Sequence, residues 1–165
     1  MSHLGAWLLG DRMTLSPDWA PNIHPLIVHF PIGLLLAAAG LDSAAWLYRC
    51  NASLRFVATV LYVTGTISLI AAYFTGRAAA GTVWLPGMAH AAIKVHWDFA
   101  FSAVVFFVAL TGARLLLLWW QRPAPRRAAL GALAVAGLVG LVLIVETADR
   151  GAQLVYKHGV GISRE

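Results

Sequence analysis

The stretch "IHPLIVHFPIGLL", Ile23–Leu35, opens a long apolar run in which the first ionisable side chains are two histidines. The apolar tract itself runs from about Leu26 to Tyr48, so it matches the roughly 20 residues that cross a bilayer core of about 30 Å. Three further apolar tracts have comparable length, at about Leu54–Thr75, Ile93–Trp120 and Ala128–Thr147. Hydrophobic residues make up 60% of the chain and charged residues only 12%, a composition typical of membrane proteins. The sequence therefore predicts an all-α integral membrane protein, a bundle of four transmembrane helices.

The arginines of the short links predict the orientation of this bundle. The first link, "YRCNASLR", and the third, "QRPAPRR", carry arginines and no acidic residue. Short loops rich in Lys and Arg face the cytoplasm, so both termini are expected on the periplasmic side. Three parts follow: a periplasmic tail with a short interfacial segment (residues 1–22), the membrane domain (23–150) and a periplasmic tail (151–165). The opening segment lacks the basic start of a cleavable signal peptide. The net charge of +5 is mostly a topology signal and indicates no nucleic-acid partner.

Histidines collect at one predicted face of the membrane. All except His3 lie at or beyond the outer ends of the helices, namely His24, His29, His90, His96 and His158. His29 and His96 share the same predicted depth, about 5 Å below the outer boundary at 1.5 Å per residue. Imidazoles that face one another from different helices are the axial ligands that b-type haem needs. We therefore predict His29 and His96 as the haem iron ligands.

The remaining histidines allow several roles. His24 and His90 form a shallower layer that could hold a second haem, and His24 could instead bind a haem propionate or stay solvated. His158 could close over the site or replace an axial ligand. Any single histidine at this boundary could also act as an interfacial residue that hydrogen-bonds to headgroups or water. Cys50 is the only cysteine, which excludes a thiolate cluster and covalent haem attachment.

Two carboxylates lie close to the predicted site. Asp98 follows His96 by two residues, and Glu146 closes the fourth apolar tract on the same face. Ionisable side chains at membrane depth usually face the bundle interior and pair with another group. Each could orient a ligating histidine or transfer protons beside a redox centre. Each could equally form an ordinary ion pair, with Lys94 or Arg150.

Other residues are assigned to the helix bundle itself. Asp42 lies deeper toward the cytoplasm and is predicted to pair with Arg55 or Arg114. Pro31 removes a helical hydrogen bond and should kink the first helix. Small residues recur at four-residue spacing and are expected to allow close helix approach, namely Thr64, Ser68, Ala72 and Gly76, and Ala132, Ala136 and Gly140.

Three motifs carry a family resemblance. "HPLIVHFPIGLLLAAAGLD" in the first helix, "KVHWDFA" in the third and the closing "GAQLVYKHGVGI" resemble domain-of-unknown-function family 2231, bacterial four-helix membrane proteins. The resemblance spans roughly residues 22–162. It implies the four-helix plan and a bacterial inner-membrane location, and His24, His29, His96 and His158 stand in its motifs. It implies no activity.

The functional prediction therefore depends only on the predicted placement of the histidines. We expect a b-type haem-binding subunit, with one haem or two, that passes electrons between a quinone or membrane partner and a periplasmic redox protein. It would be an electron-transfer subunit rather than a stand-alone enzyme, since the chain lacks the common catalytic motifs. One alternative is a copper or other transition-metal site made by His24, His90, His96 and Met88. The other is a cofactor-free assembly subunit of a larger membrane complex.

Overall fold

The computed structural model describes residues 22–48, 52–120 and 127–162, and the regular structure in these ranges is helical. The elements are α1 (His24–Ile27), α2 (His29–Leu47), α3 (Ala52–Ala79), α4 (Ala89–Trp120) and α5 (Arg127–Tyr156). Because α1 and α2 form one span, four segments are long and apolar enough to cross a membrane, which confirms the predicted fold class. The interfacial segment predicted in the N-terminal tail lies outside the described residues, as does Cys50. The orientation of the bundle stays a prediction.

Helices α3, α4 and α5 are longer than their apolar tracts indicated, and α3 ends at Ala79, four residues after the predicted end. Helix α4 begins at Ala89, four residues before the predicted start, and α5 ends at Tyr156, nine residues after the predicted end. A helix can cross the bilayer because its backbone hydrogen bonds lie within the segment, and the same hydrogen bonds can continue the helix beyond the lipid. Hydropathy detects only the apolar section of such a helix and not its polar ends. Asp149 and Arg150, expected just beyond the fourth helix, therefore lie within α5.

The first span is broken near its start. A turn at Val28 separates α1 from α2. Pro31, which is fully buried, has no N–H to donate to the carbonyl of Ile27, so the helical hydrogen bonds are interrupted there. The helix is thus interrupted within one turn before Pro31, in the region where the kink is predicted.

The four spans pack in cyclic order around a buried core. Helix α2 packs against α3 and α5, and α4 packs against the same two helices, so α2 and α4 are diagonally opposite. Glycines allow the closest approaches: a Cβ at Gly140 would lie 2.7 Å from Phe107 and one at Gly65 would lie 2.8 Å from Leu35. Of the predicted small-residue stripes, Gly140 is a true contact, whereas Thr64 and Ala132 are exposed and were assigned wrongly.

An ion pair connects the two diagonal helices. Arg114 of α4 pairs with Asp42 of α2, and the two residues are 1% and 5% exposed. Arg114 also donates to the Thr59 hydroxyl (2.9 Å) and to the Arg55 backbone carbonyl (3.2 Å). The predicted pairing of Asp42 with Arg114 is confirmed. We call this end of the bundle the arginine end, and the opposite end, which carries His24 and His96, the histidine end.

Candidate functional site

His24 stands at the start of the first span and lies against α3. Its Nδ1 is 3.2 Å from the Thr75 hydroxyl oxygen, and it also approaches the backbone carbonyl of Ala72. The Thr75 hydroxyl donates to the Ala71 carbonyl at 2.9 Å, so its oxygen is left to accept from the imidazole. A Cβ at Gly76 would lie only 2.8 Å from Cε1 of the ring. The absence of a side chain at Gly76 therefore makes room for the imidazole.

His96 has matching surroundings on the other side of the bundle. Its Nδ1 lies 3.1 Å from the backbone carbonyl of Thr147 in α5. A carbonyl only accepts, so Nδ1 carries the proton and Nε2 keeps its lone pair. A Cβ at Gly151 would lie 3.2 Å from Cε1 of His96. Each histidine thus lies against a glycine of the neighbouring helix and is held through Nδ1.

These two histidines lie at the same end of the bundle, on opposite sides of it. Gly76, which faces His24, is followed by Arg77, and the Arg77 guanidinium lies 4.3 Å from the centroid of Trp97, the neighbour of His96. His24 and His96 consequently lie near one another in depth, on helices that are diagonally opposite.

His29 occupies a different position. It is exposed, and the described hydrogen bonds do not include it. The predicted match in depth between His29 and His96 assumed that the third helix starts at Ile93. The ion pair fixes the level of Asp42 against Arg114, and His24 and His96 each precede their own member of that pair by 18 residues, whereas His29 precedes Asp42 by only 13. The register of the two helices therefore matches His96 in depth with His24 more closely than with His29.

Neither His90 nor His158 is placed beside this pair by the described contacts. His90 is exposed, its Nδ1 donates to the Gly87 carbonyl at 3.1 Å, and it lines a separate groove between α3 and α4. Met88, the thioether of the copper alternative, is 86% exposed. His158 is half-buried just past α5, where Gly159 in the left-handed region (φ 66°) turns the chain back. Within the described ranges, no three His, Cys, Asp or Glu side chains form a group that could hold a metal ion.

The two carboxylates form ion pairs with basic residues on their own helices. Asp98 pairs with Lys94 at 3.3 Å, and Glu146 pairs with Arg150. The Arg150 guanidinium also lies 3.6 Å from the centroid of Phe99. A carboxylate was one possible acceptor for the ring N–H of His96, but Nδ1–H donates instead to the Thr147 carbonyl. A backbone acceptor has no sequence signature, so sequence reasoning could not have found it.

These features define a membrane protein with four candidate spans and two half-buried histidines, His24 and His96, at one end of its bundle. The family model described as "Predicted membrane protein (DUF2231)" matches residues 20–164, so the chain belongs to that family. No curated protein and no solved structure matches the chain.

Proposed function

We propose that the chain holds one b-type haem between His24 and His96 and serves as an electron-transfer subunit of the membrane. One observation supports the proposal most: imidazoles on diagonally opposite spans lie at similar depth at one end of the bundle, and each has a hydrogen-bond partner at Nδ1. Axial ligands must approach the iron from opposite sides of a flat ring, which diagonal helices allow.

The donors present fit such a group. The hydrogen bond from Nδ1 of His96 to the Thr147 carbonyl fixes the tautomer and the ring orientation, as is usual for a ligating histidine. Thr75 has the corresponding place beside His24. Gly76 and Gly151 keep the backbone close to the rings, where a larger residue would displace them. These four residues position the ligands, and haem would supply one-electron transfer between a quinone or membrane partner and an outer redox protein.

An absorption spectrum of the purified protein tests the proposal directly. After expression with added haem, the protein should show a Soret band and, after dithionite reduction, the sharp visible bands of a low-spin bis-histidine haem. Replacing His24 or His96 by alanine should abolish these bands or convert the haem to the high-spin form. His29→Ala is the matched control and should keep the normal spectrum, because His29 is exposed and outside the pair.

Four results would overturn this assignment. Normal reduced spectra in both ligand variants would exclude the pair. Loss of haem in His29→Ala and His96→Ala, with a normal spectrum in His24→Ala, would restore the ligand set inferred from sequence. A folded protein that binds copper without a Soret band would favour the copper alternative. A folded protein that binds neither would favour an assembly subunit.

Proton coupling is a separate part of the proposal. Quinone reduction takes up protons, so a quinone-linked site needs a titratable group nearby, and Glu146 is one turn of α5 away from Arg150 and next to Thr147. We expect Glu146→Gln to leave the haem spectrum intact while slowing haem reduction by quinol and changing its pH dependence. Asp98→Gln is the comparison, since Asp98 is the reserve candidate. An unchanged rate and pH profile in Glu146→Gln would reduce Glu146 to the ion-pair partner of Arg150.

A further inference from the structure

A groove outside the two-histidine site runs between α3 and α4 at the histidine end. Its volume is about 620 Å³, and the loop that joins the two helices closes it through Leu85. On α4 the lining residues recur at three- or four-residue spacing from His90 to Phe101, so they share one face of that helix. Most of this face is exposed, and the groove therefore opens toward the surroundings of the bundle.

The groove is polar at one end and aromatic at the other. Arg77 and Lys94 lie near the ends of their helices, whereas Tyr73 and Phe101 lie farther along the spans. The ring centroids of Tyr73 and Phe101 are 6.0 Å apart, so they form a continuous aromatic wall. From His90 to Phe101 the groove extends about 16 Å at 1.5 Å per residue, close to half of a bilayer core of about 30 Å.

The polar end carries an excess of positive charge. Lys94 is paired with Asp98 at 3.3 Å, but Arg77 forms no ion pair with the residues that the structure describes. Instead the Arg77 guanidinium stacks on Trp97, with 4.3 Å from Cζ to the ring centroid. Stacking orients the planar guanidinium and leaves its N–H groups for an oxyanion, which arginine binds through two parallel hydrogen bonds.

We propose that this groove binds one anionic phospholipid, with its phosphate at Arg77 and Lys94 and an acyl chain along Tyr73 and Phe101. The occupant has to be charged near Arg77 and Lys94 and apolar about 10 Å deeper at Phe101, and a membrane lipid has this polarity along the bilayer normal. Each Lys or Arg close to an anionic membrane surface attracts its headgroups electrostatically. A neutral quinone would leave the Arg77 charge without a counter-ion. The assignment is independent of haem binding.

Native mass spectrometry of the detergent-purified protein tests this site. The protein is mixed with equal amounts of phosphatidylglycerol and phosphatidylcholine, and the two one-lipid complexes are compared. Wild type should retain phosphatidylglycerol preferentially. Arg77→Gln should lower this preference about fivefold, the factor expected for one basic residue near the membrane surface. Arg77→Lys should restore most of it, because the charge is kept.

The matched control is Lys157→Gln, which removes one exposed positive charge just after α5, outside the groove. It should leave the lipid preference unchanged. Arg77 is exposed, so its variants are expected to fold, and thermal unfolding checks this. The proposal is overturned by equal retention of both lipids in wild type, by an unchanged preference in Arg77→Gln, or by an equal loss in Lys157→Gln. Displacement of the lipid by an equimolar amount of inorganic phosphate or of a neutral quinone analogue would also overturn it.

Discussion

Replacing Asp42 by asparagine should destabilise the bundle strongly, because it leaves the Arg114 charge buried without a counter-ion. The two side chains are only 4% and 2% exposed. The remaining partners of Arg114, the Thr59 hydroxyl and the Arg55 carbonyl, are neutral and cannot replace the carboxylate charge. Breaking a buried pair by removing one partner costs about 3–5 kcal/mol. Asparagine keeps an oxygen acceptor, so we expect about 3 kcal/mol, with a larger loss for Asp42→Ala.

Removing both charges together should cost much less than the sum of the two single changes. The attraction within a buried ion pair roughly balances the free energy of removing both charges from water. Replacing both residues by apolar ones therefore often leaves the free energy of unfolding nearly unchanged. The variant with Asp42→Ala and Arg114→Leu should therefore be more stable than Asp42→Ala alone. The coupling free energy from this double-mutant cycle measures the pair directly.

Unfolding of the detergent-solubilised protein by sodium dodecyl sulfate, followed by tryptophan fluorescence, provides the measurement. Asp98→Asn is the matched control, because the Lys94–Asp98 pair is 76% and 66% exposed and should contribute less than about 1 kcal/mol. A loss below about 1 kcal/mol in Asp42→Asn, or a coupling free energy near zero, would refute the reasoning.

Two further predictions concern packing and orientation. Gly137→Ala should cost about 1–3 kcal/mol, because the new Cβ would collide with the buried Tyr62 hydroxyl, and Tyr62→Phe in the same chain should recover part of that loss. Gly33→Ala is the control, since open space surrounds Gly33, and equal losses in unfolding titrations would contradict the steric argument. An introduced cysteine near position 81 should react with impermeant reagents from outside the cell and one near position 123 only from inside. Equal or reversed labelling would contradict the predicted periplasmic location of the histidine end.

The family could be predicted from three short motifs of the sequence. The fold class could be predicted because the lipid bilayer imposes one local requirement on each span. A span must be apolar over about 20 residues and must bond its own backbone, and both properties depend on residues close together in the chain. Pro31 likewise acts through its own carbonyl partner one turn away, so the kink was predictable. The pairing of Asp42 with a buried arginine also followed from a local reason, since a lone charge at that depth is too costly.

Only the tertiary structure decided which histidines lie at the same depth on opposite sides of the bundle. His24, His29 and His96 stand equally well in the sequence motifs, and their selection depends on how far α4 slides past the first span. That offset is determined by contacts between helices, including the fit of each imidazole against Gly76 or Gly151. Hydropathy started α4 four residues late at this end, and the predicted depth match of His29 with His96 was based on that start; their assignment as ligands stays a prediction. Helix registry results from packing between distant segments, so no local property of the sequence determines it.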